Sequence, residues 1–256
     1  MRDYRHFLFF TEQVESDRLY LDTFETRHAV AVLRRDKGDA FIATDGHGTI
    51  YECRVESIVK KQLTGLIVGR TLVPRHSCSL HMLVGLPDRA AFENLITDLT
   101  VLGVVRITPL VCRHCQGGWW ERDADGERLS ERFRSKMVAA LKQSLYPYLP
   151  RLDPPLPFEN IGSAVSGTFL VADPEGAPVA EALNMYPPAA VLVCFVGPPG
   201  GFSPEEQTSL KALGATNLRL APTRLTTELA AVVACSEIIG TRQTHAAFPP
   251  FPGSAA

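Results

Sequence analysis

Residues 191–206, which read VLVCFVGPPGGFSPEE, join a buried strand, a glycine-rich bend and a capped helix without interruption. The run from Val191 to Val196 is continuously apolar and rich in β-branched residues, which is typical of a strand buried on both faces. The glycines and prolines that follow exclude regular structure and allow close approach to the backbone. Ser203 predicts an N-cap, and Glu206 completes a capping box. This succession predicts an α/β sheet with a ligand cradle or a structural turn at the bend.

The start of this helix disfavours phosphate as the ligand. Neither the Gly-Lys-Ser/Thr of a P-loop nor a G-x-G-x-x-G fingerprint is present. A helix N-terminus attracts anions through free N–H groups and a partial positive charge. Here Ser203 caps that end, and Glu205 and Glu206 add two negative charges. The pattern therefore favours a neutral or cationic ligand, or a purely structural turn.

The chain changes character near Pro74. Residues 1–72 contain the strand-like segments AFIAT, TIYECRVESIV and QLTGLIV, with DGHG as a hairpin turn. From Ser79 onward, buried apolar strands alternate with helices, which predicts a mostly parallel α/β sheet. We therefore expect a small β-rich domain over 1–72, an α/β domain over 73–247 and a loose proline-rich tail over 248–256.

The composition excludes some classes of partner. With 45% apolar and 21% charged residues, the 256-residue chain has ordinary globular composition. A net charge of -2 excludes a broadly basic nucleic-acid binder but leaves room for a local cluster. One such cluster precedes the first long strand, and the alternative is a solvated helix face balanced by nearby carboxylates. Its members are Arg27, His28, Arg34, Arg35 and Lys37.

No stretch approaches the ~20 apolar residues of a membrane helix, and FLFF near the start is too short for a signal peptide. Six cysteines in a chain of this length do not indicate a disulfide framework. We therefore expect a cytoplasmic protein with no membrane partner.

The sequence lacks the motifs of a four-ligand zinc site and of a serine hydrolase. CRHC at residues 112–115 is a lone C-x-x-C, whereas a zinc site needs four ligands, so we expect two loop thiols and no metal. A serine hydrolase would need a G-x-S-x-G elbow, and Ser203 is better explained as a helix cap.

The segment LRLAPTRLTTELAA, residues 218–231, predicts a turn followed by a helix entrance. Thr226 and Thr227 are good capping residues there. Capping does not explain Arg224, which we expect to be buried and which is a candidate substrate contact.

Several motifs, taken in order, resemble the RsmE family of ribosomal RNA methyltransferases, which belong to the SPOUT class. RHAVAVLRRDKGDAF and DGHGTIYECRV are similar to the PUA-like domain of that family. LGVVRITPL, KQSLYPYLPRL, VGPPGGFSPEE and TRLTTELAA are similar to successive segments of its catalytic domain. The resemblance implies an α/β fold in which a trefoil-knotted, mostly parallel sheet domain follows a small PUA-like β-barrel.

The resemblance also implies a function. Family members are homodimers that bind S-adenosylmethionine and methylate N3 of a uridine in 16S ribosomal RNA, so ribosomal RNA or the small ribosomal subunit is the implied partner. The cofactor has a cationic sulfonium and no phosphate, in agreement with the ligand class favoured above. The resemblance assigns catalysis to Arg224, Gln143 and Ser144, and RNA binding to the basic cluster. It assigns the cofactor site to Ala172, Gly197, Pro198, Gly200, Gly201, Leu218, Leu220 and Thr223.

The glycine and apolar framework of the family is kept, but polar positions differ. Uridine N3 is largely protonated at neutral pH, so it must lose its proton or be stabilised as an anion before it attacks a methyl group. Two hypotheses follow: an active methyltransferase, or a non-catalytic or retargeted RNA-binding relative that keeps the dimer and the cofactor pocket. The altered positions are Asp98, Val101, Lys142, Tyr146, Pro199 and Thr226.

Overall fold

The protein is described by a computed structural model that covers residues 7–75, 78–116, 118–121 and 127–242. Its residues form two compact units, which are described separately. The first unit contains 7–75 together with Val138–Leu149, and the second contains the other described residues. The division at residue 72 stays a prediction, and the predicted tail at 248–256 lies outside the described residues.

The second helix begins and ends at residues that the local sequence marks as caps. Asp88 accepts hydrogen bonds from the amides of Ala90 and Ala91 at the start of the second helix, and Gly103 ends it in the left-handed conformation at φ 82°. None of the described helices is long and apolar enough to cross a membrane. The α-helices are α1 (Thr23–Arg27), α2 (Arg89–Leu102), α3 (Glu127–Ser144), α4 (Ile161–Ala164), α5 (Val179–Leu183), α6 (Pro204–Ala212) and α7 (Thr227–Arg242).

The first unit is built on a five-stranded sheet. The predicted DGHG turn joins its third and fourth strands, and α1 runs on into a π-helical turn at His28–Val32. Buried side chains of Phe9, Leu19 and Phe41 form its core. The order across the sheet is β1-β3-β4-β5-β2, from β1 (Leu8–Phe10), β2 (Arg18–Leu21), β3 (Ala40–Thr44), β4 (Thr49–Val59) and β5 (Gln62–Leu72).

Lys142, one of the residues that differ from the family pattern, has a structural role in the first unit. Its Nζ lies 2.5 Å from Oε1 of Glu25, and both side chains are largely buried. Nζ also lies 5.6 Å from the ring centroid of Phe7 and 5.9 Å from that of Phe24. Burial raises the pKa of Glu25, and the hydrogen bond from Lys142 opposes that rise. The ion pair therefore joins α1 to the last turn of α3.

The second unit contains the parallel sheet that the alternating pattern predicted. Every strand pairing described in it is parallel. The trefoil knot stays a prediction. The order is β12-β10-β11-β6-β7-β8, with β9 beside β7, from β6 (Ser79–Gly85), β7 (Arg106–Val111), β8 (Arg151–Leu152), β9 (Leu156–Pro157), β10 (Thr168–Pro178), β11 (Val191–Val196) and β12 (Thr216–Arg219).

A buried polar chain crosses the edge of this sheet away from the bend. Thr108 donates its hydroxyl hydrogen to Asp153, so it accepts the hydrogen bond from His81 Nε2, 2.7 Å away. Arg106 Nε lies 2.6 Å from Asp153 Oδ2. Burial, together with the charge of Arg106, lowers the pKa of His81 to about 4. His81 is therefore neutral at pH 7, and its 3.8 Å approach to Asp153 is not an ion pair there.

This depressed pKa predicts acid sensitivity. An unfolded histidine titrates near 6.5, so between pH 6.5 and pH 4 the unfolded chain binds one more proton than the folded protein. The stability contributed by neutral His81 is present above this window and is lost as pH falls through it. We expect the free energy of unfolding to fall from pH 7 to pH 5 by about 2 kcal/mol more in the wild type than in His81→Gln. Urea unfolding at both pH values measures this, and equal falls in the two proteins would contradict the assignment.

Candidate functional site

A cavity of about 1120 Å³ opens beside neighbouring strands of the second unit. Its walls are the irregular middle of β10, the glycine-rich loop after β11 and the loop between β12 and α7. Side chains of α6, among them Gln207 and Lys211, add a further wall. Open α/β sheets bind ligands at the carboxyl ends of their strands, so this cavity lies where a ligand is expected.

The structure brings most of the predicted cofactor residues together at this cavity. Gly200 is absent from the lining because it packs on His114, and a Cβ at Gly200 would lie 2.7 Å from His114 Cβ. Leu218 is fully buried in the sheet, since its side chain points into the core. The predicted residues that line the cavity are Ala172, Gly197, Pro198, Gly201, Leu220 and Thr223.

The glycine-rich loop is held by the segment that contains CRHC. His114 Nδ1–H donates to the carbonyl oxygen of Gly201 at 3.0 Å. Glu206 accepts from the backbone amide of Arg113 at 2.8 Å and from that of Ser203 at 2.7 Å. The predicted capping box is confirmed, because Ser203 also accepts from the amide of Glu206. The buried Glu206 therefore satisfies amides of two separate segments.

The two cysteines of CRHC lie at the base of the same segment. Cys112 is buried, and its amide donates to Cys115 Sγ at 3.1 Å. The interaction between the two neighbouring thiols lowers the pKa of Cys115 and raises that of Cys112. Within the described residues, no group of His, Cys, Asp or Glu is arranged to hold a metal ion.

Arg224 lies on the cavity wall, and the expectation that it is buried was wrong. Arg224 is exposed, in the loop between β12 and α7. Thr226 caps α7 by accepting from the amide of Leu229 at 3.4 Å. Thr227 donates to the carbonyl of Gly197 at 2.9 Å, which links the helix entrance to the glycine-rich loop.

Carboxylates in the cavity were missed by the sequence reasoning. Asp173 and Glu175 both line it, in the irregular part of β10. Asp173 is fixed, since Oδ2 accepts from Asn217 Nδ2 at 3.1 Å and Oδ1 accepts from the amide of Glu175 at 2.8 Å. The available signal was the pair Asp-Pro directly after the apolar run FLVA.

Gln143 and Ser144 lie in the last turn of α3 and belong to the first unit, whereas the cavity belongs to the second. Gln143 is exposed, and Ser144 Oγ donates to the carbonyl of Leu141 at 3.1 Å. Gln143 and Ser144 therefore belong to a different unit from Arg224, and their catalytic assignment stays a prediction.

The predicted basic cluster is smaller in the structure than in the sequence. Arg27, Arg34 and Lys37 are exposed, but Arg35 is buried at 5%. His28 packs edge-to-face on a phenylalanine ring with centroids 4.4 Å apart, and burial lowers its pKa. We therefore restrict the proposed RNA contacts in the first unit to the three exposed cations.

Comparison with known proteins identifies the class. Residues 74–239 match the family model of an RNA methyltransferase domain, and residues 21–68 match that of an RNA methyltransferase PUA domain. The chain therefore belongs to this RNA methyltransferase family, and the resemblance to RsmE is confirmed.

Two curated relatives carry the name Ribosomal RNA small subunit methyltransferase E. The Mycobacterium bovis protein is 27% identical over 226 residues, which cover 85% of this chain and 84% of the relative. The Aquifex aeolicus protein is 24% identical over 227 residues, covering 88% and 95%.

Solved structures show the same fold. That of Ribosomal RNA small subunit methyltransferase E from Neisseria gonorrhoeae, bound to S-adenosyl methionine, superposes with a TM-score of 0.78 at 19% identity, covering 90% of this chain and 95% of that one. That of a probable rRNA-methyltransferase from Porphyromonas gingivalis gives 0.76 at 25% identity, covering 92% and 98%.

The hydrogen bond from His114 to the glycine-rich loop predicts that substitutions at two adjacent residues affect stability unequally. His114→Ala removes a hydrogen bond to Gly201 and should lower the free energy of unfolding by about 1 kcal/mol and speed amide exchange in the loop. Arg113→Ala is the matched control, because the substitution keeps the backbone amide of Arg113 that donates to Glu206. Among the described residues, the exposed Arg113 side chain pairs only with the exposed Glu205. Hydrogen exchange and urea unfolding of both variants test this. Equal effects of the two substitutions would contradict this role of His114.

Proposed function

We propose that this protein is an S-adenosylmethionine-dependent methyltransferase that modifies N3 of a uridine in 16S ribosomal RNA. The observation that carries the proposal is the cavity, which lies within the segment matched by the RNA methyltransferase family. The names of the curated relatives support ribosomal RNA of the small subunit as the substrate. We expect the working form to be a homodimer, as the family resemblance implies.

The residues of the cavity suit this cofactor. The helix start beside it is not arranged to bind an anion, because Ser203 already accepts from the amide of Glu206 and the Glu206 carboxylate lies at that end of α6. Asp173 supplies a fixed carboxylate for a cationic group, and Leu220 and Leu225 supply apolar surface for an adenine ring. When bound, the cofactor would supply a methyl group attached to a positively charged sulfur.

Arg224 is our proposed catalytic residue. Its exposed guanidinium on the cavity wall offers planar, charged donors to a uracil carbonyl oxygen, and this stabilises the negative charge that builds up as N3 loses its proton. Pro199 and Thr226 bring no carboxylate to accept that proton. Glu175, on the wall formed by β10, is the cavity carboxylate not assigned to the cofactor and is the candidate acceptor.

The second candidate function is a non-catalytic or retargeted RNA-binding relative. It is favoured by Pro199 and Thr226, which stand in the loops around the cavity at positions where the resembled family has glutamate. Such a protein would keep cofactor binding and RNA binding without methylating this uridine.

Cofactor binding is tested by filling the cavity. Ala172→Leu adds three carbon atoms to the wall and should weaken the binding of S-adenosylmethionine roughly 5- to 150-fold, as overpacking costs about 1–3 kcal/mol. Ala212→Leu is the matched control, since it makes the same change at an exposed position of α6 outside the lining. Isothermal titration calorimetry compares the two. Unchanged affinity in a folded Ala172→Leu protein would place the cofactor elsewhere.

The role of Arg224 is tested by separating binding from chemistry. Arg224→Ala should cost at least about 2 kcal/mol in the transition state, a roughly 30-fold loss of kcat, while cofactor affinity stays near that of the wild type. Arg224→Lys keeps the charge but not the planar fork, and should recover only part of the rate. The assay follows transfer of labelled methyl to small ribosomal subunits that lack the native modification. Full activity of Arg224→Ala would remove this residue from the mechanism.

A further inference from the structure

In the second unit, a buried carboxylate holds three cations at the surface of α2 and α3. Glu93 Oε1 lies 3.1 Å from Arg89 Nε, and Oε2 lies 2.8 Å from Arg132 Nη2 and 3.1 Å from Lys136 Nζ. The Glu93 side chain is 5% exposed, whereas those of Arg89, Arg132 and Lys136 are 48%, 52% and 39% exposed. We call these three cations the α2–α3 cation cluster.

The cluster keeps a positive charge after its internal pairing. Burial would raise the pKa of Glu93, but hydrogen bonds from Arg132, Lys136 and Arg89 outweigh it and lower the pKa to about 2. Glu93 is therefore ionised at neutral pH. Three positive charges and one negative charge leave two positive charges at this surface, in a chain whose net charge is -2.

Neutralising Glu93 does not by itself require three cations. One bidentate arginine satisfies a carboxylate, yet each of the three cations contributes a single nitrogen to Glu93. Among the described residues no acceptor takes the other N–H groups of the cluster, which remain for a second anion. Because Glu93 holds the side chains in place, an incoming anion meets donors that are already positioned, which lowers the entropic cost of binding.

Aromatic side chains of the same two helices pack against a 3-10 turn at Trp119–Glu121. Trp119 donates its indole N–H to the carbonyl of Pro87 at 2.9 Å and packs on Phe92 and Phe133, with ring centroids 5.7 Å and 6.0 Å away. The ring centroids of Trp120 and Trp119 lie 5.8 Å apart, and Trp120 is half-buried. The rings of Phe92 and Phe133 lie 5.4 Å apart, and Glu93 and Arg132 pair between the same stretches of α2 and α3, so the aromatic contact and the cation cluster join the same part of the two helices.

We propose that this surface binds single-stranded RNA, with the α2–α3 cation cluster on a backbone phosphate and Trp120 stacked on a base. Positive side chains beside an aromatic plane are the combination with which proteins hold single strands. The inference rests on the proposed function, which requires an RNA substrate. It extends that function by adding a contact surface in the second unit to the exposed cations proposed in the first.

The test measures RNA binding with variants of unequal charge. Fluorescence anisotropy of a labelled oligouridylate of about 12 nucleotides gives the affinity across salt concentrations. In the double variant Arg132→Gln/Lys136→Gln, we expect affinity to fall about tenfold at low salt and the slope of log K against log salt to drop by ~1.4. The charge-preserving Arg132→Lys/Lys136→Arg should keep near wild-type affinity. Lys60→Gln/Lys61→Gln is the matched control, with the same loss of charge at exposed positions of the first unit.

The tryptophans report where the RNA binds. Both tryptophans of the chain lie in the 3-10 turn at this surface, so RNA bound there should quench the intrinsic fluorescence of the protein. Trp120→Ala should lower affinity about tenfold without changing the salt slope, because stacking involves no counterion release. Absence of quenching, or equal losses in the double variant and its control, would overturn the proposal.

The outcome separates this proposal from the proposed function. Methyl transfer by the wild type, with RNA binding insensitive to the Gln and Trp120 variants, keeps the enzyme and rejects this surface. RNA binding that depends on these residues, without any transfer, keeps the surface and rejects the enzyme.

Discussion

The hydrogen bonds accepted by the Glu206 carboxylate are the interactions on which the cavity depends most. The carboxylate closes the start of α6 by accepting from the amide of Ser203, and it reaches a separate segment by accepting from the amide of Arg113. The same contact explains why the loop should not attract phosphate, because the helix end that would bind an anion already holds a buried negative charge. Thr227 adds the connection to the next helix through Gly197.

The elements that the sequence predicts well are those fixed by short-range rules. The β11 strand, the Ser203–Glu206 capping box and the Gly103 helix end each depend on residues a few positions apart. Contacts between distant segments were not predictable in this way. Nothing local in CRHC indicates that His114 reaches Gly201, and nothing local around Asp173 indicates its hydrogen bond with Asn217.

The basic residues show the same limit. Arg27, Arg34 and Lys37 are exposed as a solvated or RNA-binding face requires, yet neighbouring Arg35 is buried, because a charge pattern does not reveal which side chain turns inward. The residues that differ from the family pattern also have different structural roles. Lys142 belongs to an ion pair of the first unit, whereas Thr226 caps α7 beside the cavity. Of these two residues, Thr226 is the one that lies beside the proposed cofactor cavity.

We propose that this chain methylates uridine N3, and position-resolved methyl transfer is the decisive experiment. Purified protein and labelled S-adenosylmethionine would be incubated with small ribosomal subunits that lack the native modification, and the labelled RNA would then be mapped by reverse transcription. A methyl group on N3 blocks Watson–Crick pairing, so we expect label in 16S RNA together with a new reverse-transcription stop at a single uridine. Label without such a stop, or tight cofactor binding without transfer, would contradict it.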